Sequence, residues 1–180
     1  MPRFSDIDTA QTIHDSSYRV HIPLRDLVEN VDRYSDKYQL DLDPDYQRGY
    51  VWTTEQKEKF MEFMLTGGAT ASGNNIIRFN VPGFLGNKQS GRMEVVDGKQ
   101  RLTTCLGFLN NEVKAFGYYY NEYEDELPWT NVDLIFTINA LTKRSDILRW
   151  YLQINGGGTI HTEEELSRVR ELYETSTISE

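Results

Sequence analysis

Residues 94–106, reading Glu94-Val95-Val96-Asp97-Gly98-Lys99-Gln100-Arg101-Leu102-Thr103-Thr104-Cys105-Leu106, hold the densest chemistry in the chain. A short β-branched run ends in an acid, turns on a glycine, and enters a helical pattern through Lys99, Gln100 and Arg101. A strand that feeds a helix across such a turn leaves unpaired backbone N–H groups at the positive end of the helix dipole. That geometry favours an anion, commonly a phosphate. Two cations and one carboxylate share the turn, so phosphate binding and acid/base or metal chemistry are both open to it. Asp97 has a plainer reading as a cap of the helix that follows. Arg101 opposes the dipole in a first helical turn unless a carboxylate or an anion lies beside it.

The elements that must hold this turn can be read from periodicity. Tyr18 to Ile22 alternates as a short strand does, and Leu24, Leu27, Val28 and Val31 after Pro23 fall at helical spacing. Tyr38 to Leu42 alternates again before the turn at Asp43-Pro44-Asp45. Thr53 with Gln56 forms a capping-box pattern for a helix that carries Phe60, Phe63 and Met64 and stops at Gly67-Gly68. Residues 67–74 read as a loop without apolar anchors. Strands are expected over 76–81, 93–96, 112–120 and 132–138, and helices over 100–109 and 147–154. The helix over 147–154 breaks at Asn155-Gly156-Gly157-Gly158, where three glycines exceed what a helix cap needs. Thr162 with Glu165 opens a last helix through Leu166, Val169 and Leu172. With no internal repeat and no dividing linker, the pattern predicts a polar arm over 1–17 and one α+β domain over 18–180.

Composition narrows the function classes. At 180 residues, 38% of them hydrophobic and 26% charged, the chain suits one globular domain that buries about two-thirds of its unfolded surface. No apolar run approaches the roughly 20 residues that span a bilayer, so no membrane partner is expected. One cysteine, Cys105, excludes an internal disulfide and a cysteine-cluster metal site, and a cytoplasmic setting is expected. Cys105 lies in a helical pattern and reads as a small buried apolar residue. A net charge of −9 and a pI near 4.9 are a poor basis for non-specific nucleic-acid binding. The charge is uneven, however. Lys88, Arg92, Lys99 and Arg101 face only Glu94 and Asp97 within residues 88–101, whereas acid gathers at Glu122 to Glu126. A locally positive pocket in an acidic body suits a small anion better than a long polyanion, and the acidic stretch reads as a solvated face.

Three segments taken together resemble the N-terminal domain of GmrSD-type, modification-dependent restriction systems. The first is Pro44-Asp45-Tyr46-Gln47-Arg48-Gly49-Tyr50-Val51-Trp52, similar to the family's Gln-Arg…Trp box. The second is Val96-Asp97-Gly98-Lys99-Gln100-Arg101-Leu102-Thr103-Thr104, where Lys99 stands at the first glutamine of a signature written Asp-Gly-Gln-Gln-Arg. The third is Leu152-Gln153-Ile154-Asn155-Gly156-Gly157-Gly158-Thr159 with Glu165-Leu166 after it. They occur in the family's order over roughly residues 18–172.

The resemblance implies a ParB/sulfiredoxin-like α+β fold, with a small mixed sheet and flanking helices. It also implies a module that binds a nucleoside triphosphate, with hydrolysis open, coupled to a nuclease that cuts phage DNA carrying modified bases. On it, Arg48 and Arg101 are the expected phosphate ligands, since guanidiniums hold phosphate oxygens bidentately. Asp97 is the expected carboxylate for Mg²⁺ or for a water. Gly98 allows close backbone approach, Gln47 and Gln100 orient the ligand, and Asn155 closes the site from the far side. Lys99 in place of a glutamine adds a cation. Arg48 also has a structural reading, its stem packed on Trp52 or Tyr50. The histidines, His14, His21 and His161, lack the spacing of a ββα-metal nuclease, and the chain ends at Glu180 soon after the third segment. A nucleotide-binding module without the nuclease part is therefore the leading expectation. Beside it stand a non-enzymatic interaction or decoy protein that binds a nuclease or other restriction-system subunit, and a ParB-like DNA-binding or nicking protein.

Overall fold

The computed structural model describes residues 18–47, 52–84, 91–128, 132–155 and 163–179. Arg48, the arm over 1–17, the glycines at 156–158 and Thr162 lie outside the described residues. Four strands form one mixed sheet: β1 (Tyr18–Pro23), β2 (Ile76–Asn80), β3 (Glu94–Asp97) and β4 (Asp133–Asn139). Their order is β1-β4-β2-β3. The central pair, β4 and β2, is parallel, and each edge strand runs antiparallel to its neighbour. The helices among the described residues are α1 (Leu27–Tyr38), α2 (Thr54–Leu65), α3 (Gly68–Ser72), α4 (Lys99–Leu109), α5 (Arg144–Asn155) and α6 (Glu163–Ser179). The molecule is the α+β domain that the periodicity predicted, and none of these helices is long and apolar enough to cross a membrane.

Alternation along the strands sorts the core into two clusters. Ile77 and Phe79 of β2 and Leu134, Phe136 and Ile138 of β4 are fully buried under α1, α2 and α4. Leu27 and Val31, Met61 and Met64, and Leu102 and Phe108 supply the helical side of that cluster. Each such Leu, Ile or Phe stabilises the fold by about 1.5–3 kcal/mol relative to leaving it exposed. A second cluster joins Tyr46 and Val96 to Ile147, Trp150 and Tyr151 of α5 and Val169 of α6. Val95 belongs to the first cluster and Val96 to the second, because successive strand residues point to opposite faces. The chain therefore leaves β3 between two cores, and the turn at Asp97 opens in the seam.

The Thr53 capping box forms as read, with Gln56 N–H donating to Thr53 Oγ1 at 3.3 Å and Thr53 N–H to Gln56 Oε1 at 2.9 Å. The helix it opens stops before Gly67, which holds φ +77°. Three expectations fail. Tyr38 to Leu42 is no strand: α1 runs on to Tyr38, Gln39 turns at φ +51°, and the segment meets the 93–95 backbone only through Tyr38 and an isolated bridge at Asp41. Residues 112–120 form no strand either, since Phe116 (φ +51°) and Gly117 (φ +84°) make a tight turn bridged by Ala115 and Tyr118. The stretch 67–74 is not anchorless, because Gly68–Ser72 is a short helix with Ala69 fully buried.

Candidate functional site

The site begins at an irregularity in β3. Phe79 of β2 pairs with Val95, yet Arg78, the next residue along, pairs with Asp97. One extra residue therefore sits in β3, a bulge at Val96 of the kind that re-aims a side chain. Asp97 consequently faces Arg78. Its Oδ2 accepts from Arg78 Nη1 at 2.8 Å and from Arg101 Nη2 at 2.8 Å. All three side chains are four-fifths or more buried. The carboxylate beside Arg101 is the partner that a cation in a first helical turn requires.

Asp97 does not cap α4. The N-cap is Gly98, at φ +92°, with no side-chain bond to the helix start. A Cβ there would lie 2.7 Å from Ile77 Cδ1 and 3.2 Å from the Ile76 carbonyl oxygen. The close approach that Gly98 permits is thus to β2, and as N-cap it brings no side-chain oxygen of its own to the start of α4.

A second wall comes from the segment before Arg48. Tyr46 is fully buried, its hydroxyl shared between Glu94 Oε2 at 3.1 Å and the Val95 carbonyl at 3.3 Å. Burial and the neighbouring Glu94 hold that phenol well above its ordinary pKa. Arg144, at the start of α5, stacks 4.7 Å over the Tyr46 ring, bonds Glu94 Oε2 at 3.0 Å and pairs with Asp45. This network fixes Gln47 next door. The Gln47 amide nitrogen donates to the carbonyls of Val96 at 2.7 Å and Val95 at 3.3 Å. Its own backbone carbonyl accepts from Arg168 of α6 at 3.3 Å.

These parts surround one cavity of about 380 Å³. Gln47, the whole turn Asp97 to Arg101, and Asn155 line it, so the three sequence segments converge as far as they are described. Their side chains are not equivalent. Arg101 also bonds the Asn74 carbonyl at 3.3 Å. The Lys99 ammonium is buried and paired with Asp43, so its charge is committed to that pair. Gln100 Oε1 accepts from the Trp52 N–H at 3.2 Å and so holds the backbone at Trp52. Asn155, 9% exposed, donates to the Tyr151 carbonyl one turn back at 2.9 Å.

Two contributions were not visible in the sequence. The first is Arg78, whose only signal is a lone cation inside the apolar run Ile76-Ile77-Arg78-Phe79. The second is the aromatic wall of Trp52, Phe60, Phe63 and Tyr151, of which Phe60 and Phe63 read as ordinary helix core. Trp52 and Phe60 meet with ring centroids 5.2 Å apart, and Phe63 remains 40% exposed.

The donor set fits a resident divalent ion poorly. Asp97 is the one carboxylate among the described residues lining the cavity, and its Oδ2 already serves two guanidiniums. Among the described residues no group of three or more His, Cys, Asp or Glu side chains could hold a metal. Magnesium remains an expectation only as an ion carried in on a ligand's phosphates. Cys105 is fully buried, and burial pushes its thiol up to about 12, so it behaves as a small apolar residue.

Compared with known proteins, the chain matches the family model of the GmrSD restriction endonuclease, N-terminal domain, over residues 24–175. No curated protein and no solved structure matches it. The match runs from just after β1 into α6 and takes in every wall of the cavity. The chain belongs to the family of GmrSD restriction endonuclease N-terminal domains.

Proposed function

We propose that the cavity binds a nucleoside triphosphate, with its phosphates at Arg101 and the start of α4 and its base against the aromatic wall. One observation carries the reading: the Arg101 guanidinium, a helix start whose N-cap is Gly98 and the rings of Trp52, Phe60 and Phe63 line a single cavity of about 380 Å³. Helix amides and a guanidinium suit phosphate oxygens. Aromatic faces suit a planar base, whatever its identity. The volume falls in the range of small-ligand sites, roughly 300–1,000 Å³. A net charge of −9 favours such a small ligand over a polyanion.

The geometry supports binding more strongly than turnover. Asp97 Oδ2 holds Arg78 and Arg101 in place, and a carboxylate paired with two guanidiniums suits positioning better than proton uptake. In the restriction-system setting of the family, the loaded domain would serve as a nucleotide-dependent component that works with a nuclease subunit. The test is calorimetric titration of each nucleoside triphosphate into the full chain, with and without magnesium, alongside phosphate release. One-site binding that weakens about tenfold or more in Arg101→Met is the expected result. Absence of binding by all four overturns the reading and leaves an interaction protein in its place.

A further inference from the structure

Two amide side chains on the cavity wall are locked in one orientation. The Gln47 nitrogen gives its hydrogens to the carbonyls of Val96 and Val95, and the Asn155 nitrogen donates to the carbonyl of Tyr151. A carbonyl can only accept, so each amide must present its nitrogen inward to the protein and its oxygen elsewhere. Neither amide oxygen takes a hydrogen bond among the described residues, and both residues line the cavity. Asn155 as a whole is about nine-tenths buried.

The cavity is therefore two-sided. Arg101 and the helix start supply donors, while Gln47 Oε1 and Asn155 Oδ1 supply acceptors. A phosphate chain is all acceptor at neutral pH and can answer only the first side. A ligand that filled the cavity without a donor would strip water from the two oxygens and give nothing back. We propose that Gln47 and Asn155 form an acceptor pair that reads an N–H or O–H donor on the ligand, so that the site selects a nucleoside phosphate over a bare phosphate chain. The inference rests on the nucleotide reading above and deepens it. On ATP the donor has two sources, the exocyclic amino group of the base or a ribose hydroxyl.

The experiment measures the affinity of the full wild-type chain for ATP, purine riboside triphosphate, 2′-deoxyATP and inorganic triphosphate. The first analogue removes the amino group and the second removes a hydroxyl. Expected is a loss of about tenfold for one of the two, and at least that for inorganic triphosphate. Asn155→Leu should bind ATP about as weakly as wild type binds the deficient analogue, with no further loss when the two changes are combined. Equal binding of all four ligands by wild type, within about twofold, overturns the acceptor pair while leaving phosphate binding in place. Binding of none of them, with GTP, CTP and UTP failing to bind as well, overturns the nucleotide reading itself and the acceptor pair with it. Because the ligand series runs on the wild-type chain, it decides between these outcomes even where Asn155→Leu fails to fold.

Discussion

Arg78 and Asp97 are cross-strand partners joined by a 2.8 Å bond, and they face each other only because β3 carries one extra residue at Val96. A regular ladder would set Val96 opposite Arg78 and send Asp97 one position on. The bulge lets Val96 stay buried in the α5 cluster while Asp97 reaches two guanidiniums, one from β2 and one from α4. Sheet, turn and helix are thereby tied at a single carboxylate oxygen, and Arg101 is held at the cavity wall before any ligand arrives.

Removing that carboxylate should cost more than a surface pair does. Asp97→Asn leaves two guanidiniums, each less than a fifth exposed, facing one another without an anion. A loss of about 2–4 kcal/mol is expected by urea unfolding. Arg78→Met combined with Asp97→Asn should recover part of it, because the second substitution removes one of the stranded charges. Strictly additive losses would show that the two side chains do not act together.

Lys99 and Arg101 occupy the same turn but should behave differently. The Lys99 ammonium is engaged by Asp43, whereas Arg101 lines the cavity from within the Asp97 clamp. Lys99→Met should change nucleotide affinity by less than about threefold, and Arg101→Met by about tenfold or more. Titrations of the two variants side by side settle it. A larger effect at Lys99 would contradict the assignment of the cation that meets phosphate.

Cys105 provides a pH signature of the core. Its thiol ionises at about 12 in the fold against an ordinary 9.0, because burial disfavours the thiolate. Above about pH 9 the unfolded chain releases this proton while the folded chain keeps it, so stability falls as pH rises from there towards about 12. Below that window the thiol contributes no pH dependence. Cys105→Ala should flatten this part of the stability profile. A thiol reagent at about pH 8 should label the native chain slowly and the urea-unfolded chain fast. Rapid native labelling would place Cys105 outside the core.

Much of the site was legible because its parts are local. The strand–Gly98–helix turn, the capping box at Thr53 and the stop at Gly67 each depend on neighbours within a few residues, and each forms as its local sequence predicts. Gln47, the turn and Asn155 were grouped through a family pattern, and they do line one cavity. What stayed hidden is set across the sheet. Arg78 gains its meaning from a register that a bulge shifts, and no spacing within Ile76–Asn80 encodes a bulge in another strand. The apparent strands at 38–42 and 112–120 fail because the backbone turns inside them. Tyr38, Leu40 and Leu42 do pack on the core, and Tyr38 and Asp41 bond the backbone of Met93 and Val95. But α1 ends at Tyr38 and Gln39 turns at φ +51°, so no extended run forms; at 112–120 the tight turn at Phe116-Gly117 breaks the alternation.

The central claim, a nucleotide with its phosphates at Arg101 and the start of α4, is tested most directly by a crystal structure of the full chain grown with ATP and magnesium. The account predicts phosphate density within hydrogen-bond reach of Arg101 and the first amides of α4, with the base against Trp52 and Phe63. ATP bound elsewhere, or a cavity that stays empty at millimolar concentrations of each of ATP, GTP, CTP and UTP in turn, would contradict it.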